Sequence, residues 1–140
     1  MGRNEIEKMI PHRAPFLFIN RVEELEPGVR CIAWMCIDPE DAIFAGHFPA
    51  RPILPGVLMI EAVGQTAALM MAAATPQGAI GNALLAAVNR FKFLKPVNKG
   101  QDVRIETTKL TEAGSMAYIG GTVFADGVIV ASGELSVVCA

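Results

Sequence analysis

Charge is scarce in this sequence: only 19% of its 140 residues are Asp, Glu, Lys or Arg, against roughly 25% in an ordinary soluble protein. Twelve basic and fourteen acidic residues leave a net charge of −2, which argues against a nucleic-acid binder working through broad positive charge. Two histidines, His12 and His47, are too few and too isolated for a zinc cluster. Three cysteines, Cys31, Cys36 and Cys139, lack metal-ligand spacing and make an odd count. All three read as small buried thiols, with Cys31 and Cys36 on opposite faces of one strand. Repeats, phosphate-cradling glycine loops and low-complexity tracts are absent, apart from an Ala-rich helix. The first ten residues mix charges of both signs without an apolar stretch, so no signal peptide is expected and the cytoplasm is the default. Gly2 fails the myristoylation pattern because position 6 is Ile6.

What is abundant is apolar. Hydrophobic residues make up 52% of the chain, with 13 glycines besides. That excludes disorder as a description of the chain, and 140 residues suit one domain over residues 1–140. So much apolar surface on a short chain points to burial against another subunit. The longest apolar run, Val57 to Ala74, is interrupted by Glu61, Gly64, Gln65 and Thr66. A mid-span Glu is costly in lipid, so a buried helix fits better than a membrane span.

Asn4 to Met9 reads as a short helix, stopped before Pro11. Arg21–Leu25 and Arg30–Ile37 read as strands around the Glu26-Pro27-Gly28 turn. The prolines at 39, 49, 52 and 55 forbid regular structure over Asp38–Pro55. Pro55 then suits the first position of a helix that Pro76 and Gly78 end. Strand-like runs follow at Leu84–Leu94, Asp102–Thr111, Met116–Ala125 and Val128–Val138, with Asp126-Gly127 as a hairpin turn. Segregated strands around one helix read as α+β with an antiparallel sheet. A helix apolar nearly all round must be covered on several sides, as by a sheet curling around it.

The chemistry concentrates between Gly46 and Ala62. His47 lies in a proline-stiffened loop close to the helix start. Pro55-Gly56 opens that helix, whose exposed N–H groups and dipole favour a developing negative charge, and Gly56 lets a substrate approach the backbone. Gly56 and Val57 are the candidate oxyanion and substrate-binding positions. Glu61 falls in the first two turns of an apolar helix, where a carboxyl without a partner favours its protonated form and can act as an acid. A base, an acid and an oxyanion donor suit β-elimination of water from a 3-hydroxyacyl thioester. The bland readings are a structural loop histidine, a merely hydrogen-bonded glutamate and an ordinary helix start.

Three ordered blocks resemble one family. Gly46-His47-Phe48-Pro49, Pro52, Pro55-Gly56 and Glu61-Ala62 with Gln65 match a GHFPGxPxxPG loop followed by an EAxAQ helix. Pro11-His12-Arg13-Ala14-Pro15-Phe16-Leu17 with Arg21-Val22 resembles a PHRxPFLLxDRV block, and Arg90-Phe91-Lys92-Phe93 with Pro96-Val97 and Gly100 a KFxxPVxPGD strand entry. These are marks of the FabZ-type hydroxyacyl-acyl-carrier-protein dehydratases, and the likeness runs from about residue 5 to 138.

The resemblance implies a hot-dog fold, an antiparallel sheet wrapped around a long helix. It implies His47 as catalytic base, Glu61 as second catalytic residue, and the Gly56 amide as the thioester-oxygen site. It further implies an active site shared across a homodimer, dimers assembling as trimers, and no metal or organic cofactor. The acyl chain would arrive on the phosphopantetheine arm of an acidic carrier protein and enter an apolar tunnel. Phe48 and Gln65 are candidate substrate-side residues, Gln65 being equally suited to a buried interface. Arg90, Lys92, Lys95 and Lys99 are candidates for carrier-protein docking, with Arg90 and Lys92 on the strand face opposite Phe91 and Phe93. Phe44 and Met59, Met70 and Met71 are assigned to the core before a tunnel, and His12 to a structural role at the edge of the site. Four positions depart from the family pattern: Asn20 for Asp, Ala50 for Gly, Gly64 for Ala and Lys99 for Pro. The rivals are a FabA-type dehydratase/isomerase, disfavoured by Glu61 where that type has Asp; a hot-dog thioesterase; and a non-catalytic acyl-thioester-binding protein.

Overall fold

The computed structural model describes residues 1–47 and 50–139. Its order is α1 (Arg3–Met9), β1 (Arg21–Glu26), β2 (Arg30–Met35), α2 (Ala42–Gly46), α3 (Gly56–Ala73), β3 (Ala83–Phe93), β4 (Val103–Ala113), β5 (Met116–Ala125) and β6 (Val128–Cys139). The six strands form one sheet in the order β1-β2-β4-β5-β6-β3, with every neighbouring pair antiparallel. This is the hot-dog arrangement the resemblance implies.

Two turns set hairpin registers, one at the β1 edge and one between β5 and β6. Glu26 accepts from the Val29 N–H at 3.0 Å across Pro27-Gly28, and Gly28 takes the positive φ that a type II turn needs at its third residue. Asp126 and Gly127 both have positive φ, 50° and 76°, which is the I′ geometry that suits the twist of a two-residue hairpin.

α3 lies in the hollow of the sheet against β2, β4, β5 and β6. Ala62, Val63, Ala67, Ala68, Leu69 and Met70 are wholly buried, together removing enough apolar surface to anchor the core. Small residues bring the layers close. A Cβ on Gly121 of β5 would fall 2.5 Å from a Val63 methyl, so only glycine admits the helix at that distance. α3 is long and apolar enough to cross a membrane, yet much of it packs inside the protein. A core helix meets the same criteria.

Three expectations need correcting. The Asp38–Pro55 loop contains a helix, α2, because its prolines leave residues 40–48 free and Asp41 caps the turn by accepting from the Ile43 N–H at 3.0 Å. Phe44 on α2 is buried. Pro55 is the cap before α3 rather than its first residue. The cysteines are also not alike: Cys31 is buried, Cys139 half-buried, and Cys36 exposed just beyond the end of β2. Burial pushes the Cys31 thiol up to about 12.

Strict alternation along β3 also fails. Asn89 pairs with Glu134 and Lys92 with Ser132, so Arg90 and Phe91 together face Gly133, a bulge of two residues against one. Arg90 takes a left-handed φ of 51° there. A Cβ on Gly133 would meet the Phe91 backbone at 2.5 Å, so the glycine is what makes room for the bulge. Phe91 and Phe93 do share a side, their ring centres 5.4 Å apart.

Candidate active site

The loop that carries His47 is fastened to the chain beyond β3. Leu54 donates its N–H to the Val97 carbonyl at 2.8 Å, Lys99 to the Pro52 carbonyl at 3.3 Å, and Ile53 forms a bridge with Asn98. The proline that the family pattern has in place of Lys99 could not make that second bond, since it lacks an N–H. Within this frame the His47 ring sits with Nδ1 3.1 Å from the Ile53 carbonyl oxygen. A carbonyl only accepts, so the bond requires the proton on Nδ1 and leaves Nε2 of the neutral ring with its lone pair. That is the tautomer a general base needs.

His47 lines a cleft of about 310 Å³ with Ile53, Leu54, Gly56, Phe93 and Lys95. As the first residues of α3, Gly56 and Val57 have N–H groups without an acceptor one turn earlier in the helix. The Phe93 ring closes onto Gly56 so tightly that a Cβ there would lie 2.9 Å from it. A larger residue at this position would have to displace the Phe93 ring. Val57 is 71% exposed.

Glu61 does not line this cleft. Five residues of helix separate it from Gly56, a rise of about 7.5 Å and a turn of about 140° around the axis. Its side chain is a quarter exposed, and it is not without partners as the sequence led us to expect. Gln65, one turn on, donates from Nε2 to Glu61 Oε2 at 2.9 Å. His12 Nε2 lies 3.6 Å from the same oxygen.

Gln65 is wholly buried and does more than face the site. Its Oε1 accepts from the Phe18 N–H at 2.9 Å, while Nε2 also donates to the Phe16 carbonyl at 2.8 Å. A backbone donor and a backbone acceptor together fix which end of the amide is which. Gln65 thus satisfies a buried contact and also bonds Glu61, the candidate acid.

Arg90, Lys92, Lys95 and Lys99 are all exposed, and none has an ion-pair partner among the described residues. Lys95 stands at the cleft itself. Phe48 lies outside the described residues. Of the departures, Asn20 keeps the acceptor an aspartate would offer, its Oδ1 taking the Cys36 N–H at 2.7 Å. Gly64 has open space where its Cβ would be, so nothing within the chain demands glycine there. Among the described residues no three His, Cys, Asp or Glu side chains converge to hold a metal ion.

Comparison with known proteins shows the family and the fold. Residues 10–134 match the FabA-like domain. The chain belongs to that family. Within the family it is 37% identical over 136 residues to a 3-hydroxyacyl-[acyl-carrier-protein] dehydratase FabZ of Geotalea uraniireducens, covering 96% of this chain and 94% of that one. It is 40% identical to the FabZ of Roseiflexus castenholzii over 131 residues, covering 94% and 91%. Among solved structures, the dehydratase heterocomplex ApeI:P from Xenorhabdus doucetiae superposes with a TM-score of 0.79 at 14% identity, covering 96% of this chain and 90% of that one. That last likeness concerns the fold alone.

Proposed function

We propose that this protein is a (3R)-hydroxyacyl-[acyl-carrier-protein] dehydratase, a hydro-lyase of fatty-acid or related acyl-chain biosynthesis working in the cytoplasm. The observation that carries the reading is the His47–Ile53 hydrogen bond, which leaves Nε2 basic at the mouth of a cleft that also holds the start of α3.

His47 Nε2 removes the α-proton of the 3-hydroxyacyl thioester. Negative charge gathers on the thioester oxygen, which the Gly56 N–H and the α3 dipole stabilise; a single such donor is worth about 3–4 kcal/mol. The Cα electrons form the double bond as the C3 hydroxyl departs, taking a proton from Glu61 and leaving as water. The proton on His47 and the vacancy on Glu61 then restore each other through solvent, so no cofactor enters the balance.

The site is completed by a second copy of the chain. His47 lines the cleft at the start of α3 and Glu61 does not, so on this reading the two act on one substrate from different subunits. β3 is a long edge strand with Leu84, Leu85, Val88 and Phe93 exposed, Leu84 by 62%. An edge this long and apolar is stable in water only when covered. Pairing of two β3 edges gives a homodimer, and trimers of such dimers are the further assembly we expect. The carrier protein docks through the unpaired cations Arg90, Lys92, Lys95 and Lys99 at the cleft's rim.

Hydration of a crotonyl thioester, followed as loss of the enoyl absorbance, tests the assignment. Wild type should hydrate without releasing free thiol, whereas His47→Ala and Glu61→Gln should each lose at least ~100-fold in rate, within the range general acid–base catalysis supplies. Thiol release without hydration would make the protein a thioesterase, and near-wild-type turnover of Glu61→Gln would remove that residue's role.

A further inference from the structure

His12 is the feature of the site that the mechanism above leaves unused. It stands 49 residues from Glu61 in sequence, yet the two side chains are 15% and 25% exposed and 3.6 Å apart. The segment carrying it is pinned on both sides. Before it, Arg13 donates to the Ile10 and His12 carbonyls at 2.9 and 2.7 Å and to the Glu7 carbonyl at 2.7 Å. After it, Gln65 holds the Phe16 carbonyl and the Phe18 N–H against α3. The backbone around His12 is thus fixed, with ring Nε2 3.6 Å from Glu61 Oε2.

The other ring nitrogen settles what it offers. Nδ1 is buried and has no hydrogen-bond partner among the described residues. An orphaned buried N–H is rarer and costlier than an orphaned acceptor, so Nδ1 is the lone-pair nitrogen and Nε2 carries the hydrogen. Two N–H groups, from His12 and Gln65, therefore converge on one carboxyl oxygen. A carboxylic acid has one oxygen that only accepts and one that carries the proton. With both donors on Oε2, the transferable proton sits on Oε1.

We propose that His12 is a positioning residue for the dehydration: with Gln65 it fixes Oε2 as the accepting oxygen of Glu61, so that Oε1 delivers the proton to the leaving hydroxyl. The separation of 3.6 Å is just beyond hydrogen-bond length, a gap of the kind that closes when substrate packs against a site. The inference rests on Glu61 being the acid of the proposed reaction.

The test is steady-state hydration of crotonyl-thioester by the full-length protein. His12→Ala should lower kcat by ~10-fold or more with KM within about twofold, the pattern for a contact felt chiefly in the transition state. His12→Gln, whose amide N–H reaches the place of Nε2, should recover most of that loss, whereas His12→Asn, which matches Nδ1 instead, should not. In the Glu61→Gln background, His12→Ala should change the residual rate by less than about twofold, because residues acting through one another are not additive. Equal rates for the Gln and Asn variants, or a full further loss in the Glu61→Gln background, would overturn the proposal, and the comparison of Gln with Asn decides it even if the Ala variant fails to fold. Should Glu61→Gln itself remain active, the acid assignment fails instead; an inactive Glu61→Gln beside an unimpaired His12→Ala would reject only the role of His12.

Discussion

Gln65→Leu isolates the clamp between α3 and the chain entering β1. The leucine has nearly the volume of glutamine, so packing around this wholly buried position changes little. What it removes is three hydrogen bonds: from the Phe18 N–H, to the Phe16 carbonyl and to Glu61 Oε2. A buried backbone group left unpaired costs about 1–3 kcal/mol. Phe16 is half exposed, so its carbonyl regains water more readily than the Phe18 N–H. Together the two backbone losses come to about 2–4 kcal/mol, a large share of the 5–15 kcal/mol typical of a domain. With an m-value of about 1–3 kcal/mol/M, urea unfolding at fixed protein concentration should shift to a lower midpoint by roughly 1–2 M. Gln65→Glu should be no better, since it keeps the acceptor for Phe18 but cannot donate to Phe16 and sets a second carboxyl beside Glu61. A shift below about 0.3 M for Gln65→Leu would fall within the range of ordinary surface changes and would refute the clamp.

Two further outcomes follow from the same structure. The Cys31 thiol ordinarily ionises near 9.0 and is pushed up to about 12 by burial; the unfolded chain therefore releases this proton first as pH rises, and the stability present below pH 9 is lost between 9 and 12. Cys31 should account for about 1.4 kcal/mol lost between pH 8 and pH 10, read as the closing of the gap between wild type and Cys31→Ala in urea titrations at the two pH values; a constant gap would contradict it. Arg90→Glu/Lys92→Glu should lower kcat/KM at least ~10-fold more for carrier-protein substrates than for coenzyme A analogues, because charge complementarity acts on the encounter with the acidic partner. Equal losses on both substrates would place docking elsewhere.

Local chemistry explains which features were legible in the sequence. β5 was readable at both ends, Met116 and Ala125, because Gly114 and Asp126-Gly127 mark its turns and its alternating residues match its buried face. α3 was readable because twenty residues without proline follow Pro55. α2 was obscured by prolines around it, although Asp41 two residues before Ile43 was an available capping signal. The bulge at Arg90 depends on Gly133, more than forty residues away, and no local pattern announces such a pairing. The site divides in the same way. Glu61 and Gln65 could be placed on one helix face from their spacing, while the approach of His12 depends on how the segment before β1 folds over α3.

The division of the site follows from helix geometry combined with a single aromatic ring. Phe93, at the end of β3, packs on Gly56 and ties the His47 cleft to the end of the exposed edge strand. Glu61 looks out from the opposite side of α3, along the same stripe as Val57 and Gly64. Two copies joined along β3 by a twofold axis run those strands antiparallel, so the Phe93 end of each approaches the Ala83 end of the other. In the proposed dimer each His47 cleft, which includes its own helix start, is thereby set beside the partner chain. On this reading the exposed apolar edge and the separation of base from acid have one cause. A chain that folded with both groups in one cleft would need no partner; in the proposed dimer a second copy both covers the edge strand and completes the chemistry.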